Sequence, residues 1–366
     1  MKIVIDFRIF GTEPGGIGRY NQKLLEELIK QDSDNLYFLL FKNKPEVELP
    51  KNFQAIICNY HWYSFKEQLF LPFLLYRLKP DLVHFTHFNV PIFYRGKFIV
   101  TIHDLIMTRF PSQRASTLNR FAFRLKYFFY QLVISRAVKK AQAIIAVSKF
   151  TAQDIKNHFK LKSSQASKIK VIYEGVSELE NNLTSKTEIK LKLPQNYFLY
   201  VGNAYPHKNL DFLLRTFGEF SKKYPDYYLL LVGKKNYFYQ RLERESTCQN
   251  VIFTDYLTDQ ELFYAYQKAR VYIFPSLFEG FGLPPLEAMA QSLPVLSSSS
   301  SSLPEILGEA ALYFDPKDQK DLLKKMEEVI NNEDLRSVLI KKGLEQVKKY
   351  SWSQMANRIL NIYKNE

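Results

Sequence analysis

Glu279 and Glu287 bracket the run Glu279-Gly-Phe-Gly-Leu-Pro-Pro-Leu-Glu287. Ionised carboxylates only accept hydrogen bonds, and sugar hydroxyls donate them. Between the two acids, Gly280 and Gly282 let the backbone bend and approach a ligand closely around Phe281 and Leu283. Pro284 and Pro285 suit the first turn of a helix, where amide hydrogens are unpaired anyway. A glycine loop feeding a helix N-terminus offers N–H groups and a positive dipole end to an anion such as phosphate. Upstream, Val271–Phe274 is a short apolar run fit for a buried strand. The segment thus reads as strand, loop and helix, with a phosphate cradle flanked by two hydroxyl acceptors. That is the chemistry needed to hold a nucleotide sugar. The plainer alternative is a strand–turn–helix with incidental acids, which the paired glutamates and double proline disfavour.

Three further groups stand at strand ends. Gly202-Asn-Ala-Tyr-Pro-His207-Lys208-Asn209 follows the strand-like run Tyr197–Val201. A fixed lysine there could stabilise charge gathering on a departing phosphate, although a lysine at a loop–helix junction is often simply solvated. Gly15-Gly-Ile-Gly18-Arg19-Tyr20 follows the first strand, Lys2–Phe7. It lacks the third glycine of the dinucleotide fingerprint, and a packing turn is its alternative reading. His103-Asp104 ends the run Phe98–Ile102, and the C-terminal ends of parallel strands face the ligand crevice. His84 and His87 end another strand and are read as crevice wall or packing. Asp32-Ser-Asp34 lies at a helix end and is read as a solvated terminus rather than a metal clamp. Cys58 and Cys248 have no metal-ligand spacing and are expected to be reduced thiols.

The segment Phe274–Ala290 resembles the two-glutamate signature of retaining glycosyltransferases of family 4 (glycosyl transferases group 1). The agreement continues through Pro294-Val-Leu, Ser302-Leu-Pro-Glu305-Ile-Leu-Gly-Glu-Ala-Ala311 and Phe314-Asp-Pro316. The Leu-Pro-Pro form after the glycines looks most like the mannosyltransferase-type members. The resemblance implies the α/β fold called GT-B: two Rossmann-like domains facing a central cleft, with a C-terminal helix crossing back to the first. It implies that Glu287 accepts from the nucleotide ribose and Glu279 from the transferred sugar. It places Lys208 against the donor phosphates, Gly16 and Gly18 near the diphosphate, and His103 near the donor sugar. His103, Lys208 and Glu279 are therefore the expected catalytic residues. Asn203, His207, Gly280, Phe281, Gly282 and Leu283 complete the expected nucleotide-sugar site. Many relatives carry arginine where this chain has Asn203 or His207, which leaves Lys208, helix dipoles and His207 to hold the diphosphate. No cofactor and no metal are implied. Retention in this family is discussed as same-face attack, with the leaving phosphate helping to take the acceptor proton.

The elements that must position these residues alternate strand and helix along all 366 residues, which argues for parallel sheets covered on both faces. Residues 1–178 read as an acceptor-side domain, 179–194 as a polar linker, 195–350 as the nucleotide-sugar-binding domain and 351–366 as a crossover helix. In that helix Trp352, Met355, Ile359 and Tyr363 fall on one stripe. Ser302 with Glu305 fits a capping box at the end of the six-serine run Ser297–Ser302. The opening Met-Lys-Ile-Val-Ile-Asp reads as a strand, not a signal peptide.

Charge is unevenly spread. Residues 1–180 hold 27 Lys+Arg against 15 Asp+Glu, and the remainder 24 against 22, so +12 of the net +14 lies in the first half. From Leu105 to Gln153 there is no acid, and Arg109, Arg114, Arg120, Arg124, Lys126, Arg136, Lys139, Lys140 and Lys149 interleave with aromatics. No nucleic-acid motif accompanies them, whereas basic and aromatic side chains together suit an anionic membrane surface. The expectation is a cytoplasmic protein, peripheral on the inner face of the cell membrane. It would move a hexose, mannose first, from a nucleotide sugar to a glycan or lipid-linked glycan. A nucleotide-sugar epimerase of the same fold, a phosphorylase, and a non-catalytic sugar- or membrane-binding scaffold are the rivals.

Overall fold

The computed structural model describes residues 1–11, 15–61, 63–111, 119–176 and 191–365. The chain divides into two compact units, Met1–Gly175 with Ser351–Glu366, and Val176–Tyr350. The expected linker 179–194 lies mostly outside the described residues.

The first unit is built on strands β1 (Lys2–Asp6), β2 (Leu36–Phe41), β3 (Phe53–Ile57), β4 (Leu82–Phe85), β5 (Phe98–Ile102), β6 (Ile144–Ala146) and β7 (Ile169–Val171). All pair in parallel, in the order β3-β2-β1-β4-β5-β6-β7. Its helices are α1 (Gly16–Gln31), α2 (Phe65–Leu78), α3 (Ile106–Arg109), α4 (Arg120–Lys140), α5 (Lys149–His158) and α6 (Ser163–Ala166). The central strands are apolar runs because both faces are covered: Ile3, Val4, Ile5, Ile99 and Val100 are wholly buried. Ser64 caps α2 by accepting from the Glu67 N–H, and Asn119 caps α4 by accepting from Ala122.

The second unit carries β8 (Asn196–Val201), β9 (Tyr227–Val232), β10 (Val251–Thr254), β11 (Val271–Phe274), β12 (Val295–Ser298) and β13 (Ala311–Phe314), again parallel, in the order β10-β9-β8-β11-β12-β13. Helices α7 (Leu210–Lys223), α8 (Tyr237–Glu245), α9 (Asp259–Lys268), α10 (Leu283–Ala290), α11 (Leu303–Leu307), α12 (Gln319–Asn331) and α13 (Glu333–Val347) complete it.

Each sheet has a point where the chain order reverses: between β1 and β4 in the first, between β8 and β11 in the second. Ligands in open α/β sheets sit beyond the carboxyl ends of the strands at that point. The glycine turn at 15–18 follows β1, the Lys208 loop follows β8 and the Glu279 loop follows β11.

The last helix, α14 (Trp352–Asn365), belongs to the first unit and packs along α1. Its expected stripe of Trp352, Met355, Ile359 and Tyr363 is buried. Tyr363 Oη meets His84 Nδ1 at 2.6 Å, and His84 Nε2 meets Thr101 Oγ1 at 2.9 Å. Burial, with the neighbouring His103, lowers the His84 pKa to about 3, so His84 packs as a neutral ring. Gly175 makes the return of the chain feasible, because a Cβ there would overlap the Trp352 backbone nitrogen and ring.

Two local expectations are corrected. Asp32 is not a solvated helix terminus. It is buried and accepts hydrogen bonds from Tyr37 Oη (2.6 Å), Asn35 Nδ2 (2.6 Å) and the N–H groups of Asp34 and Asn35. Burial alone would raise its pKa, but those donors outweigh it and the pKa falls. Ser302 precedes α11 without capping it, since its φ and ψ are helical and its hydroxyl points elsewhere.

Candidate functional site

In the second unit, β8 hands the chain to a turn in which Lys208 is thrown across to the loop after β11. Pro206–Lys208 forms one 3-10 turn, ended by Asn209 in the left-handed region at φ 62°. Asn209 Nδ2 donates to the carbonyls of Pro275 (3.2 Å) and Pro316 (2.9 Å), tying the loops after β8, β11 and β13 together. The Leu277 N–H donates to the His207 carbonyl at 2.8 Å. On this brace Lys208 Nζ donates to Glu279 Oε1 at 2.6 Å and lies 5.3 Å from the Phe274 ring centre. Both side chains are largely shielded from water. An ammonium has three N–H groups and a carboxylate several lone pairs, so the pair can hold a phosphate on one side and a hydroxyl on the other.

The glycine loop is fixed from beneath. Glu279 N–H donates to Ser301 Oγ at 2.8 Å, and Ser302 Oγ donates to the carbonyls of Glu279 (3.0 Å) and Phe281 (3.1 Å). Gly282 adopts φ 105° at the start of α10, and a Cβ there would lie 2.8 Å from Leu303 Cδ2. Leu283 opens α10 and Glu287, buried, sits in its second turn. Because Pro284 and Pro285 carry no N–H, the donors at this helix start come from the glycine loop and Leu283 rather than from the first turn.

His207 is buried beside Lys208. Burial first, then the lysine charge, brings its pKa down to about 4, so it is neutral at pH 7. It cannot supply the second permanent charge that the sequence left open. Asn203 spends its backbone carbonyl on Tyr200 Oη (2.7 Å), and its Oδ1 accepts from the Tyr205 N–H (3.3 Å). Lys208 is thus the fixed cation of this cluster. Among the described residues no group of three or more His, Cys, Asp or Glu side chains could hold a metal ion.

The first unit holds the remaining expected residues. Gly15 turns at φ 81° and α1 starts at Gly16, with Gly18 buried in its first turn. Two residues on, Tyr20 presents its ring edge-on to His103 at 4.8 Å and bonds Thr101 through its hydroxyl. The glycine turn and His103 are therefore held by one side chain. His103 Nδ1 meets Glu174 Oε1 at 3.0 Å, and Nε2 meets the Thr86 carbonyl at 3.0 Å. Burial pulls its pKa down, but the Glu174 carboxylate and the Thr86 carbonyl prevail and the net shift is upward. Facing an acceptor at each nitrogen, the ring is biased toward its protonated form.

Glu174, Tyr20, Asn209, Ser301 and Ser302 were not read as site residues. Glu174 lies three residues beyond β7, so the same strand-end argument that singles out His103 reaches it. Asn209 carried a weaker signal, as an asparagine placed before a helix.

Two family models match this chain. Glycosyltransferase Family 4 spans residues 14–178 and Glycosyl transferases group 1 spans residues 182–346. The chain belongs to glycosyltransferase family 4. Among curated relatives, the family 4 chain is 34% identical over 178 residues to O-antigen chain mannosyltransferase B of Escherichia coli, covering 46% of each chain. It is 29% identical over 264 residues to O-antigen chain mannosyltransferase RfbU of Salmonella typhimurium, covering 71% of this chain and 67% of that one. A 31% identity to serotype-specific mannosyltransferase WbdA of Escherichia coli covers 60% of this chain and 28% of that protein. The match thus spans less than half of the first of these relatives and under a third of the last.

Solved family folds align over nearly the full length. Sucrose-phosphate synthase from Thermosynechococcus elongatus superposes with TM-score 0.75 at 18% identity, covering 100% of this chain and 98% of that one. WaaG, a glycosyltransferase involved in lipopolysaccharide biosynthesis, gives 0.72 at 15%, covering 99% of each. Anabaena HepE in complex with UDP and glucose gives 0.72 at 15%, covering 100% of each. These likenesses establish the GT-B fold.

Proposed function

We propose that this family 4 chain is a retaining hexosyltransferase that takes mannose, with GDP-mannose as first donor and UDP-glucose and related donors next, to a glycan or lipid-linked glycan. The observation that carries the reading is the Lys208–Glu279 pair, 2.6 Å apart, at the strand-order reversal of the second sheet and beside the glycine loop. Curated relatives named as O-antigen mannosyltransferases favour mannose and a surface-glycan acceptor.

In this reading Glu287 accepts from the ribose hydroxyls and Glu279 from the hexose. Gly280, Phe281, Gly282 and Leu283 line the diphosphate, with Asn203 and His207 beside it. As the bond from sugar C1 to the phosphate oxygen breaks, negative charge collects on the diphosphate and Lys208 stabilises it. The acceptor oxygen bonds to C1 on the face the phosphate leaves, and its proton passes to the phosphate. His103, as a cation, serves the donor sugar by charge and position rather than as a base. No helix among the described residues is long and apolar enough to cross a membrane. A lipid-linked acceptor would be met at the inner face of the cell membrane.

The test is a panel of nucleotide sugars scored by melting temperature, followed by product analysis. A cognate donor at a hundredfold excess over its Kd adds about 2.7 kcal/mol to the folded state. GDP-mannose is expected to give the largest rise and to lose its mannose to an O-antigen-type acceptor. A donor converted without acceptor to an isomeric nucleotide sugar would replace this reading with an epimerase. Binding with no turnover under any acceptor would replace it with a scaffold.

A further inference from the structure

The acid-free stretch 105–153 pointed to α4, but the structure sets a second helix beside it. In α2 the stripe Glu67, Leu71, Pro72 and Leu75 is buried, while Phe65, Leu69, Phe70, Phe73 and Tyr76 face outward. Phe65 is 73% exposed and Phe73 70%. The sequence offered no hint of this, since a run of leucines and phenylalanines reads as core. In α4 the inner stripe is Tyr130, Val133, Ile134, Ala137 and Val138, and the outer one is Phe121, Leu125, Phe128, Phe129 and Leu132, with Phe121 78% exposed. The two outer stripes meet: the Phe65 and Phe129 rings pack edge-on at 5.8 Å, and Lys126 Nζ lies 5.8 Å over Tyr63, just before α2. Single exposed apolar side chains are ordinary, but a contiguous apolar face marks an interaction surface.

The charges on this face have one sign. Lys66 and Arg77 on α2, and Arg120, Arg124, Lys126, Lys139 and Lys140 on α4, are exposed. Glu67, the acid of α2, is buried against Arg8 at 2.6 Å, and α4 has none. Not every cation of the stretch is available. Arg109 pairs with Asp154, and Arg136 donates to the Tyr94 carbonyl. We infer that α2 and α4 together form a docking face for an anionic lipid bilayer, with α2 supplying the inserting aromatics and α4 the charge. This extends the membrane reading of 105–153 to a helix outside it and does not depend on the sugar chemistry. A second copy seated symmetrically on this face would oppose cation to cation. A nucleic acid would use the cations and ring faces but leave Leu69, Leu125 and Leu132 unpartnered. A bilayer takes rings, aliphatic tips and flanking cations at once.

The experiment is co-sedimentation of the full chain with phosphatidylglycerol-rich or purely phosphatidylcholine vesicles, at low and high salt. The anionic vesicles should capture the protein and the neutral ones far less. Arg120→Gln, Arg124→Gln and Lys126→Gln combined should weaken capture on the order of a hundredfold, at about fivefold per basic residue. Phe65→Ser with Phe73→Ser should weaken it by roughly tenfold or more while leaving all the basic residues in place, and the loss should persist at high salt. All five residues are exposed, so the melting temperature serves as the folding control. Full capture by the Phe65→Ser/Phe73→Ser variant would overturn the role of α2. Equal capture by neutral vesicles would overturn the role of charge. Absence of capture, together with dimerisation or RNA binding that either variant abolishes, would overturn the bilayer as occupant.

Discussion

Replacing Glu174 by glutamine keeps the shape of the His103 pocket and removes its charge. His103 is 8% exposed and Glu174 4%, and their atoms meet at 3.0 Å. Unit charges centred about 4 Å apart, at an effective dielectric of ~20, attract by ~4 kcal/mol. That attraction favours the charged ring and pulls the His103 pKa upward. Burial opposes it, and the net direction is up. In Glu174→Gln the two Glu174 contributions are gone and only the Thr86 carbonyl and Asp104 still oppose burial, so the ring should lose much of its charge at pH 7. The sign of the stability effect follows. A histidine raised in the folded state contributes stability that is complete below its unfolded pKa of ~6.5 and is lost as pH climbs through the folded value. The variant should therefore be most destabilised at pH 5–6, by about 3 kcal/mol, and least above neutrality. For a unit of this size that is a fall of roughly 6–12 °C in Tm. Melting curves from pH 5 to 9, with imidazole NMR titration of His103, read both quantities. A parallel pH slope in wild type and variant, or a wild-type His103 titrating below 6.5, would refute the bias toward the protonated ring.

Glu279→Gln should depress turnover strongly while calorimetry still registers nucleoside diphosphate binding; near-normal turnover would remove Glu279 from the sugar site. Lys208→Ala should cost roughly 2–4 kcal/mol in kcat/KM, as for the loss of one preorganised donor, and activity within a few-fold of wild type would contradict it. Tyr363→Phe leaves His84 Nδ1 buried without its partner and should cost about 1–3 kcal/mol, read as a lower Tm of the first unit. Gly282→Ala forces a side chain into φ 105° against Leu303, and should cost about 1–2 kcal/mol and weaken donor binding in the same thermal-shift assay.

The strands were legible because parallel strands buried on both faces are apolar throughout. The expected ranges Phe98–Ile102 and Val271–Phe274 are those observed. The glycine loop before α10 was equally plain, since Gly-x-Gly and two prolines leave the backbone few options. What the chain hid was pairing at a distance. Glu174 reaches His103 across 71 residues, and no local pattern encodes that. Ser302 was taken for a cap because capping is a local rule, whereas its hydroxyl answers to carbonyls more than twenty residues away. Asp32 looks solvated because aspartate usually is, but four donors from the next five residues converge on it where the chain turns from α1 into β2. The outer stripe of α2 was invisible for the opposite reason: its residues look like core and are not.

The return of α14 to the first unit has a consequence for biosynthesis. Val176–Tyr350 is one uninterrupted stretch, so the strands and helices of the second unit emerge from the ribosome together. Those of the first unit do not. Its sheet is translated before the second unit, and the helix that covers α1 and reaches His84 only after it. At ~5–20 residues per second, that leaves the N-terminal sheet waiting on the order of ten to forty seconds for its final piece. During that interval the α1 flank stays open to chaperones and proteases. Loss of Trp352–Asn365 would accordingly injure a unit whose sheet was made earlier.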